Sequence, residues 1–247
     1  MDITLDELKI IADEKKLDIV MIEKDYLLTY LLYLIRNINN IYFKGGTALN
    51  KIYLEHKRLS EDLDFTVTDN INRIEQEIRE KLKETIFNNI THDKRVDNFV
   101  RLIIHYKLFH EKGTIFIDLN KRAKIYLKPE LKELRHFYPD YIPKFEIKTL
   151  HIKEIIAEKM VAIVQRYAPR DYYDVYNIIK KKLPIDKKLL KKKFEDIDKE
   201  YDIKRIFKRG NKIYSKWESD LLPLTSTKPN FKEVMETLME FFKYKKG

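Results

Sequence analysis

Strand-forming patterns crowd into the first 150 residues of this chain, and helical patterns take over after them. Ile41 to Phe43 is short, β-branched and aromatic. Asp62 to Val67 alternates polar and apolar residues. Phe99 to Phe109 and Thr114 to Leu119 form two further runs with a turn at Glu111-Lys112-Gly113 between them, and Phe145 to Thr149 reads as one more strand. Helical periodicity in this part covers 5–16, with Thr4 as N-cap, then 21–37, 48–56 and 71–90. From His151 onward the expected elements are helices alone, at 152–166, 171–181, 186–199, 203–219 and 229–243. The segregation predicts an α+β N-terminal lobe over residues 1–150 and an all-helical C-terminal lobe over 151–247.

Composition excludes several chemistries. Hydrophobic residues at 44% and charged ones at 36% fit a globular chain rather than a disordered one. With no cysteine, the chain has no disulfide, no thiolate metal site and no cysteine nucleophile. The start lacks the basic and continuously apolar stretch of a signal peptide. The most apolar window, Tyr26 to Ile35, is about half of the roughly 20 residues a membrane span needs. No membrane association is expected, and a cytoplasmic location is the simplest fit. The net charge of +10 permits binding of phosphates or nucleic acid, although a lysine-rich bias also follows genome composition.

Phe43-Lys44-Gly45-Gly46-Thr47-Ala48-Leu49 followed by Arg58-Leu59-Ser60-Glu61-Asp62-Leu63-Asp64-Phe65 carries the strongest chemical signal. Two glycines between a strand and a helix let backbone N–H groups approach a phosphate, and the helix N-terminus adds a favourable dipole. Asp62 and Asp64 are two apart on a strand, so both leave one face while Leu63, Phe65 and Val67 face the core. Paired carboxylates of this kind suit Mg²⁺ bound together with substrate phosphates. A lone Gly-Gly is usually a turn, and a lone Asp-x-Asp is more often a solvated sheet face. Their appearance in order within 22 residues, Phe43 to Asp64, is what makes the pattern specific. Asp118, in the otherwise apolar run Thr114 to Leu119, is a candidate third carboxylate. It would hold a second cation or act as general base, the alternative being that it ends the strand and caps a turn.

A second cluster follows. Lys159 and Arg166 share a helix face with Ala162 and Ile163, and a partly desolvated lysine there suits a triphosphate. Pro169 breaks the chain before the next helix, which carries Asp171 and Asp174 three apart. The equally weighted alternative is plain inter-helix ion pairing of Lys159 and Arg166 with these aspartates.

These segments, together with Ile22-Glu23-Lys24-Asp25-Tyr26, Ala157-Glu158-Lys159 and Pro169-Arg170-Asp171-Tyr172-Tyr173-Asp174, closely resemble the AbiEii-type nucleotidyltransferase toxins of type IV toxin–antitoxin and abortive-infection systems, a group that includes the MenT enzymes. The resemblance covers roughly residues 20–180. It implies a polymerase-β-like nucleotidyltransferase lobe with a mixed sheet, and a helical lobe that completes the active-site cleft. It also implies Mg²⁺, an NTP co-substrate, transfer of NMP to an acceptor such as the tRNA acceptor end, and a cognate antitoxin. By the family pattern Asp62 and Asp64 would hold metal, with Asp118 as the third candidate ligand. By the same pattern Gly46 and Ser60 would contact phosphates and Lys159 the triphosphate, and Lys44, Gly45, Thr47, Arg58 and Arg166 are further candidates for binding the nucleotide. Asp171 would support catalysis, with Asp174 an open alternative for the same part. Nucleotidylation of a protein, or a non-catalytic nucleotide- or RNA-binding module, are the competing functions.

The six histidines show no metal-ligand spacing. Lysine runs at 180–182, 187–188 and 191–193 read equally as a solvated face or as an RNA-backbone surface.

Overall fold

A computed structural model describes residues 3–109 and 112–244. The chain separates into two compact units, Met1–Leu150 and His151–Gly247.

The first unit is built on a seven-stranded mixed sheet. Its elements run α1 (Leu5–Lys15), α2 (Ile19–Ile35), β1 (Ile41–Lys44), α3 (Gly45–Ala48), a π-helical turn (Leu49–Tyr53), β2 (Asp62–Val67), α4 (Ile71–Leu82), β3 (Asn89–Val96), β4 (Phe99–Lys107), β5 (Lys112–Asn120), β6 (Glu130–Glu133) and β7 (Glu146–Thr149). The strand order is β3-β4-β5-β2-β1-β7-β6. β2 lies at the centre, antiparallel to β1 and parallel to β5. β1 runs parallel to β7.

Sequence explains most of these elements. Thr4 caps α1 with a capping box to Glu7, and Asp18 and Asn70 accept backbone N–H groups at the starts of α2 and α4. α2 is apolar nearly all round, with Leu27, Leu28, Leu31, Leu32 and Ile35 fully buried, as befits a helix inside the lobe. α4 buries only one stripe: Ile71, Ile74, Ile78 and Leu82. On the sheet, alternate residues Leu63, Phe65, Val67, Val100, Leu102, Ile104, Ile115, Ile117 and Leu119 are buried. The other face carries Asp62, Asp64, Arg101, Phe116 and Asp118, all only partly covered.

Three expectations need correction. The helix expected over 71–90 stops at Leu82, where Thr85 returns its N–H and hydroxyl to the Leu82 carbonyl. Asn89–Val96 is instead a strand, exposed almost throughout, so it shows no hydrophobic alternation. Glu130–Glu133 is a further polar edge strand. The Glu111 part of the expected turn lies outside the described residues.

The second unit is helical: α5 (Ile152–Arg166), α6 (Pro169–Lys180), α7 (Lys187–Glu195), α8 (Gly210–Tyr214), α9 (Trp217–Leu221) and α10 (Phe231–Phe241), with 3₁₀ turns at Ile203–Arg209 and Leu222–Leu224. The single helix expected over 203–219 is thus broken into short pieces. Its core is drawn from Tyr172, Val175, Ile178, Phe194, Ile206, Ile213, Trp217 and Leu238. Among the described residues no helix is long and apolar enough to cross a membrane.

Candidate active site

β1 ends at Lys44 and the chain turns into α3 through Gly45, whose φ is +75°. Only glycine adopts that region without strain. A Cβ on Gly45 would also lie 2.0 Å from Asp64 Oδ2, so the carboxylate of Asp64 rests directly against the turn. A Cβ on Gly46 would meet Arg58 Nη2 at 2.8 Å and Ser60 Oγ at 3.2 Å. Gly45, Gly46, Arg58, Ser60 and Asp64 therefore meet in one place. Thr47 is fully buried and donates its hydroxyl to the Asp62 carbonyl at 2.5 Å, fastening α3 to β2.

The π-helical turn aims two side chains in different directions. Asn50 donates to the Gly46 carbonyl at 3.0 Å and accepts from the Arg58 N–H at 3.3 Å, which staples the Gly-Gly turn to the loop carrying Arg58 and Ser60. Lys51 points into the core, where its ammonium meets Asp25 at 2.7 and 2.9 Å and Thr29 at 3.0 Å. Tyr138 donates to the same Asp25 carboxylate at 3.1 Å. Lys51 and Asp25 are each 2% exposed. Burial pushes the Lys51 ammonium below its ordinary range, against the pull of Asp25. Neighbouring Lys24 reaches Glu61 at 3.0 Å, and Glu23 accepts the Phe109 N–H at 3.1 Å. Lys24 and Asp25 of α2 thus brace the segments that follow the glycines, while Glu23 ties α2 to the chain just past the end of β4.

Asp62 and Asp64 leave the same, partly covered face of β2, backed by fully buried Leu63 and Phe65. Two hard carboxylates so placed fit a divalent cation. Asp118 stands on β5 directly opposite Asp64. Both of its oxygens, however, are taken by Arg101: Nε to Oδ1 and Nη2 to Oδ2, each at 2.7 Å. Among the described residues no three or more His, Asp or Glu side chains gather as a metal-holding group.

In the helical unit, Lys159 is nearly fully buried and bonds Asp171 at 2.9 Å and Asp174 at 2.8 Å. Arg166 grips Asp171 with Nε at 2.6 Å and Nη2 at 2.8 Å. Burial pushes the Asp171 carboxyl up, but the charge of Lys159 and the hydrogen bonds of Arg166 outweigh it and hold the group well below the usual carboxylate range. The ion-pairing alternative is therefore present in full. Asp171 and Asp174 share one lysine, so both are parts of one network. Arg166 keeps its side chain 62% exposed.

The model of the family described as "Nucleotidyl transferase AbiEii toxin, Type IV TA system" matches residues 28–240. The chain belongs to the AbiEii nucleotidyltransferase toxin family. Solved structures agree in fold. MenT4, a nucleotidyltransferase toxin from Mycobacterium tuberculosis H37Rv, superposes with a TM-score of 0.69 at 17% identity, over 99% of this chain and 91% of that one. JHP933 from Helicobacter pylori gives 0.62 at 20% identity, over 92% of each chain. No curated protein matches.

Several residues of this AbiEii-family chain escaped the sequence reading. Asn50, Arg101 and Lys51 gave no motif of their own, and Asp25 was read as part of a motif without its partner Lys51. Lys193 was grouped with the surface lysines, yet it is buried and pairs with Glu154 at 2.6 Å and Glu158 at 3.1 Å. A signal for it existed: Leu189, Leu190, Lys193 and Phe194 follow the buried stripe of α7.

Proposed function

We propose that this nucleotidyltransferase moves a nucleoside monophosphate from an NTP to an RNA acceptor, the tRNA acceptor end, in the presence of Mg²⁺, with a cognate antitoxin restraining it. The observation that carries the reading is the contact of Gly45 and Gly46 with Asp64, Arg58 and Ser60 beside Asp62. Backbone N–H groups of the Gly-Gly turn, the Ser60 hydroxyl and the Arg58 guanidinium bind and orient the phosphates, with Lys44 and Thr47 shaping the turn. Asp62 and Asp64 hold the divalent cation, which supplies neutralisation of phosphate charge when bound. Within the helical unit, Lys159 and Arg166 are candidate nucleotide-binding cations, and Asp171 fixes both of them. Asp118 is held by Arg101 and takes a different part, argued below. An RNA acceptor is favoured by the net charge of +10 and by the exposed Lys182, Lys187, Lys188 and Lys191 around α7.

The test incubates purified protein with each α-³²P-labelled NTP and either total tRNA or total cell protein. Label enters tRNA with the native chain, and it is lost with Asp62→Asn and with Gly46→Ala. Label confined to protein would redirect the proposal to a protein acceptor. Undiminished labelling by both variants would remove the site.

A further inference from the structure

A row of charged side chains crosses five adjacent strands in register: Lys94 on β3, Arg101 on β4, Asp118 on β5, Asp64 on β2 and Lys44 on β1. Residues paired in register across neighbouring strands project from the same face. Arg101 is the hinge of this row. Its guanidinium binds Asp118 in the two-bond fork that makes arginine–carboxylate pairs strong and directional. A β-bulge between His92 and Lys94 brings Asp93 to 3.8 Å on its other side. Its Cζ lies 5.4 Å from the ring of Phe116, the residue opposite Asp62. The Asp118 bonds, then the fields of Asp118, Asp62 and Asp93, all strengthen its protonated state.

We infer that Arg101 is a built-in cation of the acid row: it neutralises Asp118 permanently, so that the site takes up one divalent ion on Asp62 and Asp64 instead of a pair of ions shared among three carboxylates. The inference rests on the proposed cation site. Arg101 thus acts through Asp118, as a positioning residue that limits how many ions the row accepts. An arginine suits this part because it cannot lose its proton and its fork matches the carboxylate, whereas a second ion would have to be recruited from solution.

The test is Mn²⁺ titration of the full chain without nucleotide, followed by the electron paramagnetic resonance signal of free Mn²⁺. The native chain binds one ion. Arg101→Gln exposes Asp118 and removes one positive charge, so it gains a second ion or binds the first about tenfold more tightly, the scale of a unit charge acting on a divalent ion at a half-exposed site. The double variant R101Q/D118N, which replaces the ion pair with neutral groups of similar shape, returns to one ion within about threefold of native affinity. It decides the matter even if Arg101→Gln alone fails to fold. Two ions on the native chain, unchanged binding in Arg101→Gln, or a loss of more than about tenfold in R101Q/D118N would overturn the inference. Native-like binding by D62N/D64N would overturn the cation site beneath it, and so tells the two failures apart.

Discussion

Asparagine in place of Asp25 tests the brace beneath the glycine turn. In the native chain Lys51 and Asp25 are each 2% exposed and 2.7 Å apart, with Thr29 and Tyr138 completing their bonds. Asp25→Asn removes the only carboxylate shown bonding the ammonium, which stays buried. Breaking a buried pair from one side costs about 3 to 5 kcal/mol, because the remaining charge is uncompensated. Lys51 has one escape, which is to lose its proton. Burial already lowers its pKa, and Asp25 is what opposes that. A lysine whose folded pKa lies below its unfolded one loses its destabilising charge as pH rises through the folded value, so the variant regains stability toward alkaline pH. The native chain gains less over the same range, because Asp25 opposes the lowering of the Lys51 pKa. The assay is urea unfolding followed by circular dichroism at pH 7 and pH 9. D25N/K51M, which removes both charges, recovers most of the loss, since a buried pair exchanged for neutral groups is often close to neutral. A loss under about 1 kcal/mol for Asp25→Asn, or a double variant worse than either single one, would refute the reasoning.

Gly45→Ala faces both a positive φ and a Cβ 2.0 Å from Asp64, so stability falls by about 1 to 2 kcal/mol while nucleotide transfer drops to background; near-native transfer rates would contradict the close packing of Asp64. Burial, helped by the charge of Lys51, pushes the His56 imidazole down to about 3, and His136 is lowered too. The unfolded chain binds the His56 proton near pH 6.5, so stability is intact above that pH and drains away by about 1.4 kcal/mol per unit as pH falls toward 3. Melting curves at pH 7.5 and 5 show the decline, and His56→Gln flattens it; an unchanged slope in the variant would assign the effect elsewhere. Asp171→Asn strips charge from the grip of Lys159 and Arg166 and destabilises the helical unit by about 3 kcal/mol in chemical unfolding, a value under about 1 kcal/mol being incompatible with its burial.

Elements whose side chains alternate between core and solvent were readable from sequence. β2, β4, β5 and the cap of α1 announce themselves by local periodicity or by a capping residue. β3 was hidden because both its faces meet water, and only the partner β4 makes it a strand. The Gly-Gly turn and Asp-x-Asp were legible because their spacing is local. The role of Arg101 was not, since it depends on a register between residues 17 apart that no periodicity reports. Lys193 was misjudged because a charged residue on a buried stripe looks like a surface residue until its partner is known.

The order of the sheet also sets a schedule for biosynthesis. β2 is flanked by β1, which precedes it, and by β5, which begins at Lys112, some way after Val67. Translation at roughly 5 to 20 residues per second leaves an interval of about 2 to 9 seconds between the emergence of β2 and that of β5. During that interval the acids of β2 lack the neighbour opposite Asp64, and β7, which lines up beside Phe43, comes later still. The strand order thus predicts a nascent chain without transfer activity until the second half of the sheet has emerged. Chains stalled before Lys112 should show no nucleotide transfer, whereas activity in them would mean that β2 needs no second neighbour.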